Sequence, residues 1–310
     1  NGVVVGEKSG GKRYFKPDNS ITRAELSVIV WQVMSFDDYI HFSSHVLEKL
    51  DGVPVNRYDN AAFVKTDGRM EYVGGDRASL AGVDVSSHQG TVDWAKVAAD
   101  GIDFVIIRCG GRYYGSGKVF EDKQFKSNIQ GALDAGLQVG VYFFSQATNQ
   151  AEALEEAQFV LDTIADYPVD GPVVFDWENI GTDSARTDGM TSAQVTAAAN
   201  AFCGRIKAAG YQPMIYFNQY IGYLLYDLDQ VTQYPFWLAE YTDKPTFYYH
   251  FEMWQYTSSG SVDGITGKVD RNLWMPKEAP VRPDRPGQET EPGEDEEAMP
   301  PSQDISREQS

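Results

Sequence analysis

Apolar and polar positions follow a repeated pattern between Leu80 and Trp274. Eight short apolar runs have the length and the β-branched and aromatic content of strands: AGVDVS, DFVIIRCG, LQVGVYFFS, PVVFDWE, YQPMIYF, PFWLAEY, FEMWQYT and KVDRNLW. Amphipathic helical stretches occupy the early gaps, at 92–100, 121–136, 149–166 and 191–210. This alternation is typical of parallel strands joined by crossover helices, and eight strands indicate a closed barrel.

The last three gaps between these strands are too short to hold full helices. The second half of the region is therefore predicted to be irregular or partly antiparallel, because antiparallel strands need only a short connection. The predicted fold is α/β: a modified (β/α) barrel of about eight strands, with helices missing in the second half. We place it at residues 81–275.

The residues before the barrel divide into two parts. In YFKPDNSITRAELSVIVWQVM, within residues 1–35, Thr22-x-x-Glu25 has the spacing of a capping box at a helix start. The apolar positions that follow share one helical face: Leu26, Ile29, Val30 and Val33. Residues 36–80 are interpreted as a leader or linker, with a hairpin in FVKTDGRMEYV around Asp67-Gly68.

The N-terminal stretch resembles the second half of a surface-layer homology motif, whose signature is an aromatic-x-Pro turn leading into ITRAE. The resemblance implies binding of a secondary cell-wall polymer, with Arg23 at the polymer-contacting position. About half of one copy is present and no repeat follows, so the alternative is a helix packed on the main domain.

Composition narrows the classes of protein. The 310 residues are 42% hydrophobic and 13% aromatic, enough for a sizeable core. No run approaches the roughly 18 apolar residues of a membrane span, so we expect no membrane-spanning helix. A net charge of −19 without a basic stripe argues against a nucleic-acid partner.

The start lacks Met and a signal-like apolar run, so we expect a processed or shortened chain. Residues 276–310 form an acidic Pro/Glu-rich tail that is predicted to be disordered.

The histidines and cysteines point to no metal site. The four histidines show neither HxxxH nor HExxH spacing, and the chain has two cysteines. Cys109 lies in an apolar predicted strand and Cys203 in a predicted helix. We expect both to be buried free thiols, with a disulfide as the alternative.

Carboxylates occur near the ends of four of the eight predicted strands: Asp84, Asp176 with Glu178, Glu240, and Asp270. Active sites of parallel barrels gather at the carboxyl ends of the strands. Asp176 and Glu178 are two residues apart in a strand, so their side chains share one face. Two carboxylates held close together cannot easily both ionise, and a protonated acid beside an ionised one suits glycoside hydrolysis. The alternative is an ion-paired structural cluster.

Aromatic residues accompany the acids in the same strands: Tyr142, Tyr216, Trp237, Tyr241, Trp254 and Tyr256. Aromatic faces bind sugar rings, but aromatic residues in strands are more often part of the core. These residues therefore support a sugar site only together with the acids.

Several motifs occur in one order along the chain: GVDVSSHQGTVDW, FVIIRCG, GVYFFS, VVFDWEN, PMIYFN, MWQYTSSGSVDGI and VDRN. This ordered set resembles the glycoside hydrolase family 25 lysozymes, which are N-acetylmuramidases of bacteria and phages. The resemblance covers about residues 81 to 275.

The resemblance implies hydrolysis of the β-1,4 bond between N-acetylmuramic acid and N-acetylglucosamine in peptidoglycan. It assigns Glu178 as proton donor and Asp176 as the partner that assists the substrate acetamido group, with net retention. It places Asp84 and Asp270 as further cleft acids, and Tyr142, Tyr216 and Trp254 along the sugar cleft. No cofactor or metal is implied. A secreted or cell-wall-associated location is expected.

Some positions depart from the family pattern. Tyr142-Phe143-Phe144 stands where members often have Tyr-His-Phe. His88, Gln89 and Gly90 fit the pattern but are interpreted as structural. Glu240 has no counterpart, and we expect it to form an ion pair.

The sequence leaves two alternative functions open. One is a cell-wall-binding module whose barrel has lost activity, which the intact acids argue against. The other is a glycosidase of another GlcNAc-containing polysaccharide such as chitin. Related chitinases carry D-x-x-D-x-D-x-E, whereas Pro172, Val173 and Val174 precede Asp176 here.

Overall fold

The computed structural model describes residues 7–9, 12–14, 38–75, 78–181 and 184–276. The predicted helix at Leu26–Val33, Arg23, and nearly all of the predicted tail lie outside these described residues. Within them, no helix is long and apolar enough to cross a membrane.

Within the described residues, three antiparallel strand pairs precede the barrel. Their strands are β1 (Glu7–Ser9) with β2 (Lys12–Tyr14), β3 (Tyr39–Phe42) with β4 (His45–Glu48), and β5 (Phe63–Thr66) with β6 (Arg69–Tyr72). A two-residue loop joins β5 to β6, and its residues Asp67 and Gly68 have φ of 49° and 78°. Positive φ at both loop residues matches the twist of a tight hairpin. The hairpin predicted around Asp67-Gly68 is confirmed.

The larger sheet contains nine strands. They are β7 (Leu80–Val85), β8 (Phe104–Arg112), β9 (Val119–Glu121), β10 (Gln138–Ser145), β11 (Val173–Trp177), β12 (Pro213–Asn218), β13 (Phe236–Ala239), β14 (Met253–Gly260) and β15 (Val269–Trp274). Strand β9 pairs only with β8, and the other eight close into a barrel because β8 also pairs with β10. Strand β15 is antiparallel to both of its neighbours, β14 and β7. The predicted eight-strand barrel and its partly antiparallel second half are both confirmed.

Helices cover the first half of the barrel. They are α1 (Trp94–Ala99), α2 (Phe125–Asp134), α3 (Gln150–Ile164), α4 (Ser192–Ala208) and the short α5 (Gln219–Leu224). Single 3₁₀ turns occur at Asn60–Ala62, Ser87–Gln89 and Leu228–Gln230. The first of the last three gaps holds only the six-residue α5 and one 3₁₀ turn. Residues 240–252 and 261–268 are described and contain no helix, which agrees with the short gaps in the sequence. Cys109 and Cys203 are buried and free, as expected.

Two groups of buried side chains stabilise the barrel. The larger lies between the strands and the surrounding helices and hairpins. The smaller fills the barrel interior, with Phe104, Met214 and Trp274 among its members. Hairpin β5–β6 packs on the outside of β14, where the ring centroids of Phe63 and Trp254 lie 5.1 Å apart. Burial of this apolar surface joins residues 38–75 to the barrel.

Gly82 on β7 leaves room for the Phe104 ring. A Cβ at position 82 would lie 2.2 Å from the Phe104 Cζ, so Gly82→Ala should destabilise the fold by about 2 kcal/mol through overpacking. Gly204→Ala in α4 is the matched control, because its Cβ would meet no atom nearer than 3.7 Å. That change should stabilise the helix by up to about 1 kcal/mol. Urea denaturation measures both, and equal effects would contradict this packing argument.

Candidate active site

A cavity of about 200 Å³ opens at the carboxyl ends of the barrel strands. Its lining combines four acids, one amide and four aromatic residues: Asp84, Asp176, Glu178, Asp270, Gln255, Tyr142, Tyr216, Tyr241 and Trp237. The parallel strands bring most of these residues together because their carboxyl ends meet on one side of the barrel. Asp270 reaches the same side from the amino end of the antiparallel strand β15, not from a carboxyl end as the sequence suggested.

Asp176 and Glu178 form one acid pair in the cavity. Asp176 lies in β11 and is 5% exposed, and Glu178 follows one residue after the strand ends. Each carboxyl group shifts the pKa of the other, so the two lie close enough to share a proton.

Burial raises the pKa of both groups. The pKa of Asp176 lies well above its ordinary value because of burial, and the charges of Glu178 and Asp84 add to this; Arg108 opposes it weakly. Burial also raises the pKa of Glu178, the hydrogen bond from Asp176 opposes this, and Asp270 adds to it. The pair therefore keeps a proton above the usual carboxyl range, in agreement with the expectation from the i, i+2 spacing.

Asp84 and Asp270 form the second acid pair. They lie directly opposite each other in the antiparallel pairing of β7 and β15. Burial, and then the charge of Asp270, raises the pKa of Asp84 to about 7. Burial also raises the pKa of Asp270. The pKa of each of the four acids in the cavity is thus raised above its ordinary value.

Two hydrogen-bonded chains hold Asp84 in place. The amides of Gln255 and Asn272 each donate to Asp84 Oδ2 at 2.8 Å. The amide oxygen of Gln255 accepts from the hydroxyls of Tyr216 and Tyr241, both at 3.0 Å. The indole N–H of Trp237 donates to Asn272 Oδ1 at 3.0 Å. These chains fix the rotamers of the cavity side chains before any ligand binds.

A comparison with protein families assigns the barrel. The family model described as Glycosyl hydrolases family 25 matches residues 83–265, which is more than half of the chain. The chain belongs to this family. The resemblance found in the sequence motifs is therefore confirmed.

Similar proteins agree with this family 25 assignment. The autolytic lysozyme of Clostridium acetobutylicum is 28% identical over 193 residues, which cover 62% of this chain and 54% of that protein. Lysozyme M1 of Streptomyces globisporus is 26% identical over 210 residues, covering 64% of this chain and 68% of that protein. The chain thus spans about half the length of the clostridial relative.

Solved structures share the fold. The modular autolysin LytC from Streptococcus pneumoniae aligns with a TM-score of 0.56 and 29% identity, covering 76% of this chain and 56% of that chain. A family 25 glycosyl hydrolase from Bacillus anthracis aligns with a TM-score of 0.53 at 23% identity, covering 67% and 94%. The second likeness concerns the fold alone.

In this family 25 barrel, six of the seven site residues expected from the sequence line the cavity: Glu178, Asp176, Asp84, Asp270, Tyr142 and Tyr216. Trp254 does not, and its placement in the sugar cleft is corrected. Its side chain is fully buried outside the barrel, where its indole N–H donates to the Glu240 carbonyl at 2.8 Å. Since neighbouring strand residues point to opposite faces, Gln255 enters the cavity and Trp254 turns away.

Three lining residues were absent from the expected set: Trp237, Tyr241 and Gln255. Gln255 stands in the W-Q-Y motif, so alternation from Trp254 could have identified it. Trp237 and Tyr241 were noted only as members of the aromatic group. Nothing in their local pattern separates a cavity aromatic from a core aromatic, because both are apolar and lie in or just after a strand.

Two further expectations have outcomes outside the cavity. The ion pair expected for Glu240 is wrong: its described partners are the backbone N–H and hydroxyl of Thr246, at 2.9 and 2.7 Å. Gln89 and Gly90 have the expected structural role, because Gln89 Oε1 accepts from Ser86 N at 2.8 Å and Gly90 has φ of 66°. The structural role expected for His88 stays a prediction. Among the described residues, no three His, Cys, Asp or Glu side chains are placed to hold one metal ion.

Proposed function

We propose that this chain hydrolyses the β-1,4 bond between N-acetylmuramic acid and N-acetylglucosamine in peptidoglycan. The observation that carries the proposal is that the adjacent acids Asp176 and Glu178 line an acid-rich cavity in a family 25 barrel. Support comes also from two relatives named as lysozymes and from the autolysin LytC, a structure of which holds a synthetic peptidoglycan ligand.

The proposed first step begins with substrate binding. The N–H of the substrate acetamido group donates to the Asp176 carboxylate and replaces the shared hydrogen bond, so that the proton resides on Glu178. Glu178 then gives this proton to the glycosidic oxygen as the C1–O bond breaks. The acetamido oxygen attacks C1 from the opposite face and forms a cyclic oxazolinium intermediate.

The proposed second step returns the enzyme to its starting state. Glu178, now ionised, takes a proton from a water molecule as that oxygen attacks C1 and the ring opens. Two displacements at C1 give net retention of its configuration, and substrate assistance belongs among the known exceptions to the simple two-carboxylate scheme. Asp84 and Asp270 hold sugar hydroxyls, and Tyr142 and Tyr216 line the cleft.

Product analysis tests the bond that is cleaved. Purified peptidoglycan is digested, reduced with borohydride and hydrolysed, and the reduced sugar is identified. Reduced muramic acid is expected. Reduced glucosamine would keep a glycosidase but overturn the bond assignment. Release of new ends from chitin but not from peptidoglycan would favour the other GlcNAc-containing substrate. Binding to peptidoglycan without any new reducing ends would favour an inactive wall-binding module.

The pH profile should show an unusually high alkaline limb. Deprotonation removes the proton that Glu178 must donate, so activity is lost as the pH rises through the raised pKa of the pair. The limb of kcat/KM should therefore lie above the ordinary Glu value of 4.5. Asp84→Asn should move the limb to lower pH, because the Asp84 charge raises the pKa of Asp176. Initial rates of reducing-end release at several pH values measure this, and a limb in the ordinary carboxyl range would refute it.

The partner proposed for the barrel is the peptidoglycan glycan strand, and a secreted or cell-wall-associated location is consistent with it. We also retain the proposal that residues 1–35 contact a secondary cell-wall polymer. Those residues lie mostly outside the described part of the chain. A pull-down with purified wall polymer, with and without residues 1–35, tests that contact separately from hydrolysis.

A further inference from the structure

Glu178 lies beyond the part of β11 that the sheet holds. The pairing of β11 with β10 ends at Trp177 opposite Ser145, and its pairing with β12 ends at Asp176. The main chain of Glu178 is therefore outside the strand ladders on both sides. A group other than the sheet must set its position, because backbone free of such pairing can shift.

Gln146 supplies that contact. Its side-chain amide Nε2 donates to the Glu178 carbonyl at 2.9 Å and to the Ser145 carbonyl at 2.9 Å. Gln146 is fully buried and comes directly after β10, the strand next to β11. The two N–H bonds of the Gln146 amide point at these two carbonyl oxygens. Turning the amide over would place Oε1 against both carbonyl oxygens, which is unfavourable.

The other end of the Gln146 side chain is held as well. Its Oε1 accepts from the hydroxyl of Thr187 at 3.1 Å, and Thr187 is 4% exposed. The neighbouring Arg186 donates to the Gln146 main-chain carbonyl at 3.1 Å and binds Glu152 of α3 at 2.5 Å. Gln146 thus connects β10, Glu178 and the segment that carries Arg186 and Thr187.

Buried charges make this support rigid. The Ser145 hydroxyl donates to Glu156 Oε2 at 2.6 Å, and the guanidinium of Arg112 donates to Glu156 Oε1 at 2.7 Å. Glu156 and Arg112 are 0% and 3% exposed. A buried and satisfied polar network of this kind specifies a single arrangement, since any displacement leaves a polar group without a partner.

We propose that Gln146 is a positioning residue for Glu178. It acts through the Glu178 main chain: the amide holds the carbonyl, and the carboxyl group then faces both Asp176 and the cavity. The inference rests on the proposed function for its effect on turnover, but the effect on Glu178 itself does not depend on any substrate. Displacing a catalytic group by about 1 Å can cost about 10²-fold in rate.

The chain offers a matched control at the other end of the same strand. Gln138 is the first residue of β10, is 5% exposed, and its amide also donates to a main-chain carbonyl, that of Asp170 at 3.4 Å. It lies at the amino end of the barrel, away from the cavity. Gln146→Met and Gln138→Met each remove a buried amide that donates to a main-chain carbonyl, with little change in volume.

The first measurement is steady-state kinetics on a soluble synthetic peptidoglycan fragment. Gln146→Met should lower kcat by about 10- to 100-fold with KM changed less than about twofold, because the acid moves while sugar contacts remain. Gln138→Met should leave both constants at the wild-type values. Equal kcat in wild type and Gln146→Met would overturn the proposal. Equal losses in the two variants would also overturn it, since they would reflect general destabilisation.

The second measurement needs no activity. The Glu178 carboxyl is followed by NMR titration of protein labelled with ¹³C at the Glu carboxyl, with the signal assigned by its loss in Glu178→Gln. In Gln146→Met the pKa of Glu178 should fall towards its ordinary value, because a released Glu178 can reach water. An unchanged titration would overturn the proposal even if the wild type proved inactive, and inactivity of the wild type would count against the proposed function alone.

Thr187→Val provides the test if Gln146→Met does not fold. This isosteric change removes only the hydroxyl that holds Gln146 Oε1. The same fall in the pKa of Glu178, at smaller amplitude, is expected. A Glu178 titration identical to that of the wild type in a folded Thr187→Val would refute the link from this segment to Glu178.

Discussion

Glu178→Gln should lower kcat for peptidoglycan hydrolysis by about 10³-fold or more while the protein stays folded. Gln has nearly the same shape as Glu but cannot donate a proton to the glycosidic oxygen. Its amide can still donate a hydrogen bond to Asp176, which keeps the geometry of the pair. The measurement is single-turnover release of reducing ends, with the fold checked by near-UV circular dichroism.

Glu240→Gln is the matched control for this variant. Glu240 follows β13 as Glu178 follows β11, but Glu240 is 8% exposed, binds Thr246 and does not line the cavity. The control should retain wild-type kcat. Near-normal turnover in Glu178→Gln would remove Glu178 from the mechanism. A loss in Glu240→Gln as large as that in Glu178→Gln would show that the rate is sensitive to any buried strand-end acid.

Asp176→Asn should lose about 10²- to 10³-fold in kcat and should be more stable than the wild type at neutral pH. Asn cannot supply the negative charge that assists the acetamido group. The gain in stability comes from linkage, since the pKa of Asp176 is raised well above its unfolded value of 3.8. Below the unfolded pKa of 3.8, Asp176 is protonated in both the folded and the unfolded protein. As the pH rises, the unfolded chain releases its proton first, so the free energy of unfolding of the wild type falls.

Thermal denaturation at two pH values measures this effect. At about pH 7 the Tm of Asp176→Asn should exceed that of the wild type, and at about pH 3 the difference should largely vanish because Asp176 is then neutral in both states. An Asn amide oxygen at the place of Asp176 Oδ1 loses no hydrogen bond, since that atom has no partner among the described residues. A lower Tm at neutral pH would show that the carboxylate stabilises the fold, contrary to its raised pKa.

The strands of this barrel could be predicted closely because their signals are local. Each run of alternating or continuous apolar residues became a strand, and the short late gaps became the antiparallel β14–β15 and β15–β7 pairings. The Asp67-Gly68 hairpin is equally local, since two positive φ angles need only two permissive residues. The side of β11 that carries Asp176 followed from the two-residue period of a strand.

The lining of the cavity was less predictable. Trp254 and Gln255 are neighbours in one motif. Only the closed barrel decides which face of β14 points inward, and so which of the two side chains enters the cavity. Glu240 has the sequence context of a site acid, yet the chain turns after β13 so that its carboxylate binds Thr246. Gln146 follows an apolar strand, and no local sequence pattern predicts that its amide binds the Glu178 carbonyl just beyond the next strand.

The sequence by itself determined the family, the eight strands and the position of the four acids near the strand ends, because motif order and periodicity are properties of neighbouring residues. Only the tertiary structure decided which side chains share the cavity, how strongly burial raises their pKa values, and which group holds Glu178. Those properties depend on contacts between residues far apart in the chain, such as Asp84 with Asp270, which exist only once the barrel has closed.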